Sequence, residues 1–271
     1  MNRNDIKRLI IERLDAVRDD LQKQWAAPSG TRTRHCYVDD LLPAELATSI
    51  YEAFPRDGNG FFNRETFREK KRTSAALSQY APILGEVTYA IQDVEVVQWI
   101  ERAMGVPRLE PDPTLYAGGL SMMFKGDFLN PHIDNSHDAA RQKYRRLNLL
   151  YYVSPGWAQP NGGNLELWDD DVKTPKTIVA KFNRLVVMET NKISWHSVSP
   201  VVVDSPRCLV SNYFFSEVSP DGSEYSHVTS FTGRPEETAK RTLGVLDNYV
   251  RNLGSRLFKI GRGKDRINKQ T

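Results

Sequence analysis

The sequence predicts an α+β chain in which helices buttress a double-stranded β-helix, or jelly roll, and two patterns carry that expectation. Apolar residues recur at helical spacing up to about residue 112, whereas short runs rich in Val, Leu and aromatics crowd residues 113–218. The strand-like runs are separated by GG, NGG, DD, NR and SP, the punctuation of an antiparallel sandwich or barrel. With 271 residues and 39% hydrophobic content, the expected organisation is one domain over 1–271. It comprises a helical part over about 1–112, a jelly-roll core over about 113–218, and a C-terminal helix and basic tail over 219–271.

Taken in order, Ile6, Leu9, Ile10, Leu14, Val17 and Leu21 place one amphipathic helix over Asn4 to Trp25. Polar residues with Gly and Pro break it over Pro28 to Arg34, ahead of the short strand in HCYVDDLL. Pro43 to Phe54 reads as a second helix, with Leu46, Ile50 and Phe54 on one face. Residues Asp57 to Ser78 are polar, basic and interrupted by glycine, which suits an active-site lid or a solvated connector. Ile83 to Met104 resumes helical patterning and stops at Gly105 and Pro107. Strands are then expected in LSMMFKG, RRLNLLYYVS, NLELWD, TIVAKF, RLVVMET, SPVVV and RCLVSNYFF, and a last helix over Pro235 to Phe258. Gly162 and Gly163 read as a tight turn that brings the chain close to a ligand or simply reverses it.

A formal charge of only +3 demands neither a nucleic-acid nor a membrane partner. The cationic excess sits in Arg251, Arg256, Lys259, Arg262, Lys264, Arg266 and Lys269, against Asp265 alone, and reads as a solvated terminus or a site for an anionic partner. Cys36 and Cys208 are the only cysteines, so no disulfide framework is implied. The charged N-terminus lacks a secretory signal's apolar core, and no apolar run suits a membrane span. The expectation is a cytoplasmic protein.

The chemistry concentrates in NPHIDNSHD and ISWHSVSPVV. His132 and Asp134, two residues apart on an extended segment, face the same side and can reach one metal, with His196 as third ligand. Two neutral imidazoles and one carboxylate leave one face of an octahedral iron(II) open, the arrangement oxygen and a bidentate 2-oxo acid require. Arg207 follows His196 by eleven residues on a predicted strand, where a guanidinium can hold a distal carboxylate by two points. His137, at odd spacing from His132, reads as a loop residue, and His35 and His227 as surface or packing residues.

The segments HIDN, RRLNLLYYVSPGW, NGGNLELWD, FNRLVVMET, WHSVSPV and SPRCLVSNYFF resemble the prolyl-4-hydroxylase-like branch of the 2-oxoglutarate/iron(II) oxygenases, over roughly Leu120 to Ser216. HCYVDDLLPAELATSIYEAFP is similar to that branch's opening strand and helix. The resemblance implies iron on His132, Asp134 and His196, and 2-oxoglutarate on Arg207. It implies hydroxylation with release of succinate and CO2, ascorbate serving as reductant; retention of Asp134 argues against halogenation. Relatives often carry a tyrosine on the strand before His-x-Asp, where this chain has Met122, Met123 and Phe124. Asn148 and Tyr152, sharing a strand face with Leu150, are the candidate replacements.

Arg146 and Trp195 are candidate substrate contacts, with only one of Arg145 and Arg146 able to point inward. The substrate is a small molecule, a glycan or a peptide. The competing class is a non-catalytic cupin-like metal- or ligand-binding barrel, which a buried arginine facing the metal disfavours.

Overall fold

The computed structural model describes residues 1–116, 118–237 and Arg241; the expected C-terminal helix and basic tail lie outside the described residues but for Pro235–Glu237 and Arg241. Asn2 caps α1 (Arg3–Ala16) by accepting from the Asp5 amide while Asp5 accepts from Asn2, a reciprocal pair that satisfies two orphan donors. The single helix expected here is two. Val17 leaves the helical region, and α2 (Arg18–Ala26) restarts behind it with Asp19 and Asp20 in its first turn, where the helix dipole favours anions.

Strand β1 (His35–Val38) and α3 (Ala44–Glu52) follow as expected. The expected lid or connector is a hairpin, β2 (Phe62–Glu65) and β3 (Glu69–Ser74). The long helix expected over Ile83–Met104 is also split, into α4 (Pro82–Ile91) and α5 (Val94–Met104), because Asp93 caps a new start through the Glu95 amide. Gly105 ends α5 in the left-handed region, as its position predicts.

Next come β4 (Glu110–Pro111), β5 (Gly119–Met123), β6 (Phe128–Ile133), β7 (Tyr144–Tyr152), β8 (Leu165–Trp168), β9 (Pro175–Ile178), β10 (Arg184–Glu189), β11 (His196–Val198), β12 (Arg207–Ser216) and β13 (Ser230–Phe231). Beyond the expected β1, three strands, β2, β3 and β4, thus arise from the part expected to be helical. The SPVVV run forms no strand; the strand is β11, which carries His196 itself.

The strands join antiparallel in the order β1-β10-β7-β12-β5-β3-β6-β11-β8-β9. The sheet curls because β3 pairs with β5 through Arg72–Ser74 and with β6 through Glu69–Lys70, bridging the two halves of a jelly roll. Alternation along β7 then decides what each side chain meets. Leu147, Leu149 and Tyr151 pack outward on the helices with Ile6, Ile10, Leu84 and Ile91, while Leu150 and Tyr152 point inward with Leu165, Leu167, Val186 and Met188. Each such apolar side chain contributes roughly 1.5–3 kcal/mol on full burial. Cys36 and Cys208 are both buried and free, and no helix among the described residues is long and apolar enough to cross a membrane.

Candidate active site

His132 on β6 and His196 on β11 are cross-strand partners, and their rings lie 4.1 Å apart. Asp134, one residue past the end of β6, closes the group. One ligand atom from each of the three lies within 4.8 Å of the others. Each histidine Nδ1 sits 2.9 Å from a backbone carbonyl two residues upstream, of Asn130 and Ser194. A carbonyl only accepts, so Nδ1 carries the proton and Nε2 presents its lone pair to the centre. Burial lowers the His132 pKa, which keeps that ring neutral. Phe231 stacks on the His132 ring at 5.1 Å, a contact invisible in a stretch that reads only as polar.

Burial alone would raise Asp134, but the guanidinium of Arg145 outweighs it and holds the carboxylate well below its usual range. Arg145 Nη1 lies 2.9 Å from Asp134 Oδ2, and Asn148 Nδ2 donates to the same oxygen at 2.8 Å. Oδ1 is left facing His132 Nε2 at 3.6 Å. Arg145 is reached through a bulge: Phe214 pairs Leu147 and Phe215 pairs Arg145, so Arg146 is an extra residue on β7. Of Arg145 and Arg146, only one of which was expected to point inward, the bulge turns Arg145 to the centre, while Arg146, the candidate substrate contact, donates to the Val218 carbonyl at 2.7 Å.

Arg207 opens β12 opposite Met123 and is 2% exposed. Its Nη1 meets only the Met123 sulfur, at 3.2 Å, and its Nε has no partner. The guanidinium lies 4.8 Å from the centre of the Tyr152 ring, whose hydroxyl is also buried without a hydrogen bond. No carboxylate pairs with Arg207 among the described residues. Gly163 makes the room: a Cβ there would stand 2.7 Å from Arg207 Cδ, at a φ of +63°. The interior thus holds a buried cation and a phenol, both with unused hydrogen-bonding atoms, beside the inner apolar cluster.

Of the residues expected here, His132, Asp134 and His196 come together, and Arg207 with Tyr152 forms the second group. Asn148, expected at the cosubstrate, spends its amide nitrogen on Asp134, leaving Oδ1 unpartnered. Trp195 is half-buried beside His196, and its backbone carbonyl accepts from Trp168. His137 is a loop residue, as expected, in an aromatic group with Tyr144 and Tyr225. His35 is buried; His227 stacks on Tyr225.

Residues 118–215 match the family model described as the 2OG-Fe(II) oxygenase superfamily. Over that stretch the chain is similar to the 2OG-Fe(II) oxygenases. A 95-residue stretch is 35% identical to "Prolyl 3-hydroxylase OGFOD1" of Xenopus laevis, covering 32% of this chain and 19% of that protein. The match therefore spans about a fifth of the relative's length. In fold, the chain is similar to a Trichoplax adhaerens prolyl hydroxylase solved with a peptide fragment of a hypoxia-inducible-factor oxygen degradation domain. That likeness has a TM-score of 0.57 at 16% identity, over 79% of this chain and 96% of the other. Prolyl 4-hydroxylases from Phytophthora capsici give a TM-score of 0.55 at 19% identity, over 96% and 80%. Iron and 2-oxoglutarate are the cofactors named by this superfamily, and the three-ligand centre, the unpartnered Nε of Arg207 and the unpartnered Tyr152 hydroxyl fit them.

Proposed function

We propose that the chain is an iron(II)- and 2-oxoglutarate-dependent oxygenase that hydroxylates an unactivated C–H bond of a polypeptide, releasing succinate and CO2. The observations that carry the oxygenase reading are a compact His132, Asp134 and His196 cluster and a buried guanidinium, Arg207, with no carboxylate partner among the described residues. A binding barrel without catalysis has no need for that cation.

In this reading His132, Asp134 and His196 hold the metal, and Arg207 with the Tyr152 hydroxyl holds the distal carboxylate of the cosubstrate. When bound, iron and 2-oxoglutarate supply the oxidising chemistry, one atom of dioxygen going to succinate and the other to substrate. The protein's own part is geometric. The Asn130 and Ser194 carbonyls fix both imidazoles, Arg145 and Asn148 fix the Asp134 carboxylate, and the apolar interior around Leu165, Leu167 and Val186 excludes water. A peptidyl substrate is supported by the names of the relatives: a prolyl 3-hydroxylase in sequence, and a prolyl hydroxylase solved with a peptide fragment in fold.

The test is incubation of iron-loaded protein with 2-oxoglutarate, ascorbate and candidate peptides. We expect slow iron-dependent succinate release without substrate, and faster release with a peptide that gains one oxygen by mass spectrometry. Succinate release that is the same with and without iron overturns the oxygenase reading.

A further inference from the structure

The two strands that carry the metal ligands are thinly joined to each other. His132 lies on β6 and Asp134 just past its end, while His196 opens β11, which is three residues long. The ladder between them joins His196 to His132 and Val198 to Leu129 with a register shift in between, and Pro131 has no amide proton to add to it. The alignment of the two imidazoles therefore needs support from outside this ladder.

Residues 227–234 give that support. They continue along the edge of β6 beyond the part that β3 occupies, with Ser230 opposite Ile133 and Phe231 opposite His132. The Thr232 amide donates to the Pro131 carbonyl at 2.9 Å. At the other end two bonds tie Ser136 to His227: the Ser136 amide donates to the His227 carbonyl at 3.1 Å, and the His227 amide to Ser136 Oγ at 2.9 Å. The backbone on both sides of Asp134 is thus held by this segment, which also lays the Phe231 ring on that of His132.

The same segment then reaches β11. Arg234 Nη2 donates to the Val198 carbonyl at 3.2 Å and to Glu166 Oε2 at 2.7 Å. Glu166 stands on β8 opposite Ser197, and its Oε2 also accepts from the Ser197 hydroxyl at 2.6 Å, which in turn accepts from Trp168 Nε1 at 2.8 Å. One carboxylate oxygen therefore gathers both Arg234 and the residue next to His196. With side chains 13% and 11% exposed, the Arg234–Glu166 pair is largely shielded from solvent, so salt and water weaken it little.

We propose that residues 227–234 are a staple between the two ligand strands, with the Arg234–Glu166 ion pair as its fastening. Arg234 is then a positioning residue: it acts through β6 and β11 and sets how long the centre retains its metal. The inference rests on reading His132, Asp134 and His196 as a metal centre. Local opening of the staple frees the edge of β6 and lets the ligands drift apart, so the rate of metal loss follows the population of the opened form.

The experiment loads the protein with cobalt(II) in the absence of 2-oxoglutarate and follows the loss of the visible cobalt absorption after mixing with excess EDTA. Arg234→Met should release cobalt about tenfold faster than wild type, the scale of one shielded charge-assisted hydrogen bond. Arg234→Lys, which can still donate to a single carboxylate oxygen, should recover most of the lost retention. Arg13→Met is the control, since Arg13 on α1 donates from Nε and Nη2 to the Asp39 carbonyl. It should lower the urea midpoint of metal-free protein without hastening metal loss. Hydrogen exchange of metal-free Arg234→Met, read by mass spectrometry, should speed up in residues 227–234 and 128–136 and stay unchanged in β7 and β10. Cobalt release by Arg234→Met at the wild-type rate, equal acceleration in Arg13→Met, failure of lysine to recover retention, or unchanged exchange in residues 227–234 each overturns the proposal. If Arg234→Met does not fold, Glu166→Gln takes its place, because it keeps an acceptor for Ser197 while losing the charge that holds Arg234. Wild-type protein that binds no cobalt overturns the metal centre and the staple together, whereas cobalt retained equally by every variant overturns the staple alone.

Discussion

The Arg207 guanidinium lies 4.8 Å above the Tyr152 ring, on the strand that pairs directly with it, Leu209 standing opposite Tyr152. Both groups are buried, and both retain hydrogen-bonding capacity that the described protein does not use: Arg207 Nε and the Tyr152 hydroxyl lack partners, and Arg207 Nη1 reaches only a thioether. Sulfur is a weak acceptor, so Met123 fills the space of a stronger partner without saturating the cation. A carboxylate reaching these two groups would gain a planar two-point contact and a phenol donor together.

Replacement of Arg207 by methionine keeps the length and apolar packing but removes the fork. Loss of a bidentate partner worth roughly 2–5 kcal/mol should weaken 2-oxoglutarate binding by about 30-fold to several thousandfold. Metal binding should persist. Arg207→Lys keeps the charge without the planar fork and should fall between the two. Titration of anaerobic iron-loaded protein with 2-oxoglutarate, followed by its visible charge-transfer band, measures this. Wild-type affinity in the methionine variant would remove Arg207 as the anchor.

Tyr152→Phe separates the phenol from the cation. The ring still packs against Leu150, Val186 and Leu209, so folding should be untouched or slightly improved, because an unsatisfied hydroxyl is removed. If that hydroxyl donates to the cosubstrate, 2-oxoglutarate affinity should fall about 3- to 10-fold, the worth of one hydrogen bond of ~1 kcal/mol. Unchanged affinity would return Tyr152 to the role of an ordinary core aromatic.

How much of this was legible in the sequence depended on periodicity. His132 and Asp134 could be paired because strand alternation has a fixed period of two, and Arg207 because it stood inside a hydrophobic strand. The same rule could not choose between Arg145 and Arg146, since a β-bulge leaves no mark in the pattern of polar and apolar residues, and the extra residue turns Arg145 to the centre. The two long helices were overextended for a related reason: the apolar stripe continues through Val17 and across Gln92–Asp93, while the breaks are made by local capping. The β2–β3 hairpin was unreadable as strands because its residues are charged on both faces and its stability comes from pairing with β5 and β6, distant in sequence.

Gly163 offers a test of how tightly Arg207 is held. Alanine there would bring Cβ to 2.7 Å from Arg207 Cδ and 3.0 Å from Val201 Cγ2, with φ at +63°. Gly156 has nearly the same φ, +64°, but nothing within 4 Å of the place its added methyl would take. Gly156→Ala therefore reports backbone strain alone, about 1 kcal/mol, and Gly163→Ala adds the steric clash, for a further ~1–3 kcal/mol. Urea midpoints at constant m read the difference, and 2-oxoglutarate affinity should drop only in Gly163→Ala. Equal losses in the two variants would show that the Arg207 side chain has room to move.

The buried pair of Arg145 and Asp134 makes a prediction with an unusual sign. Arg145→Met strands the Asp134 carboxylate in the interior with only the Asn148 amide as donor, so metal-free protein should lose about 3–5 kcal/mol of stability. A divalent metal brings its own positive charge to the same carboxylate. It should therefore stabilise the variant more than the wild type, where the arginine opposes the incoming cation by repulsion across a few ångströms. Thermal denaturation with and without manganese(II) measures both effects: a lower midpoint for the metal-free variant, and a larger upward shift on metal addition. Asp134→Asn in the same background removes the stranded charge and should recover part of the lost stability while abolishing the metal-induced shift. A metal-free Arg145→Met protein as stable as wild type, or one that metal stabilises no further than wild type, would show that Arg145 does not balance the charge of Asp134.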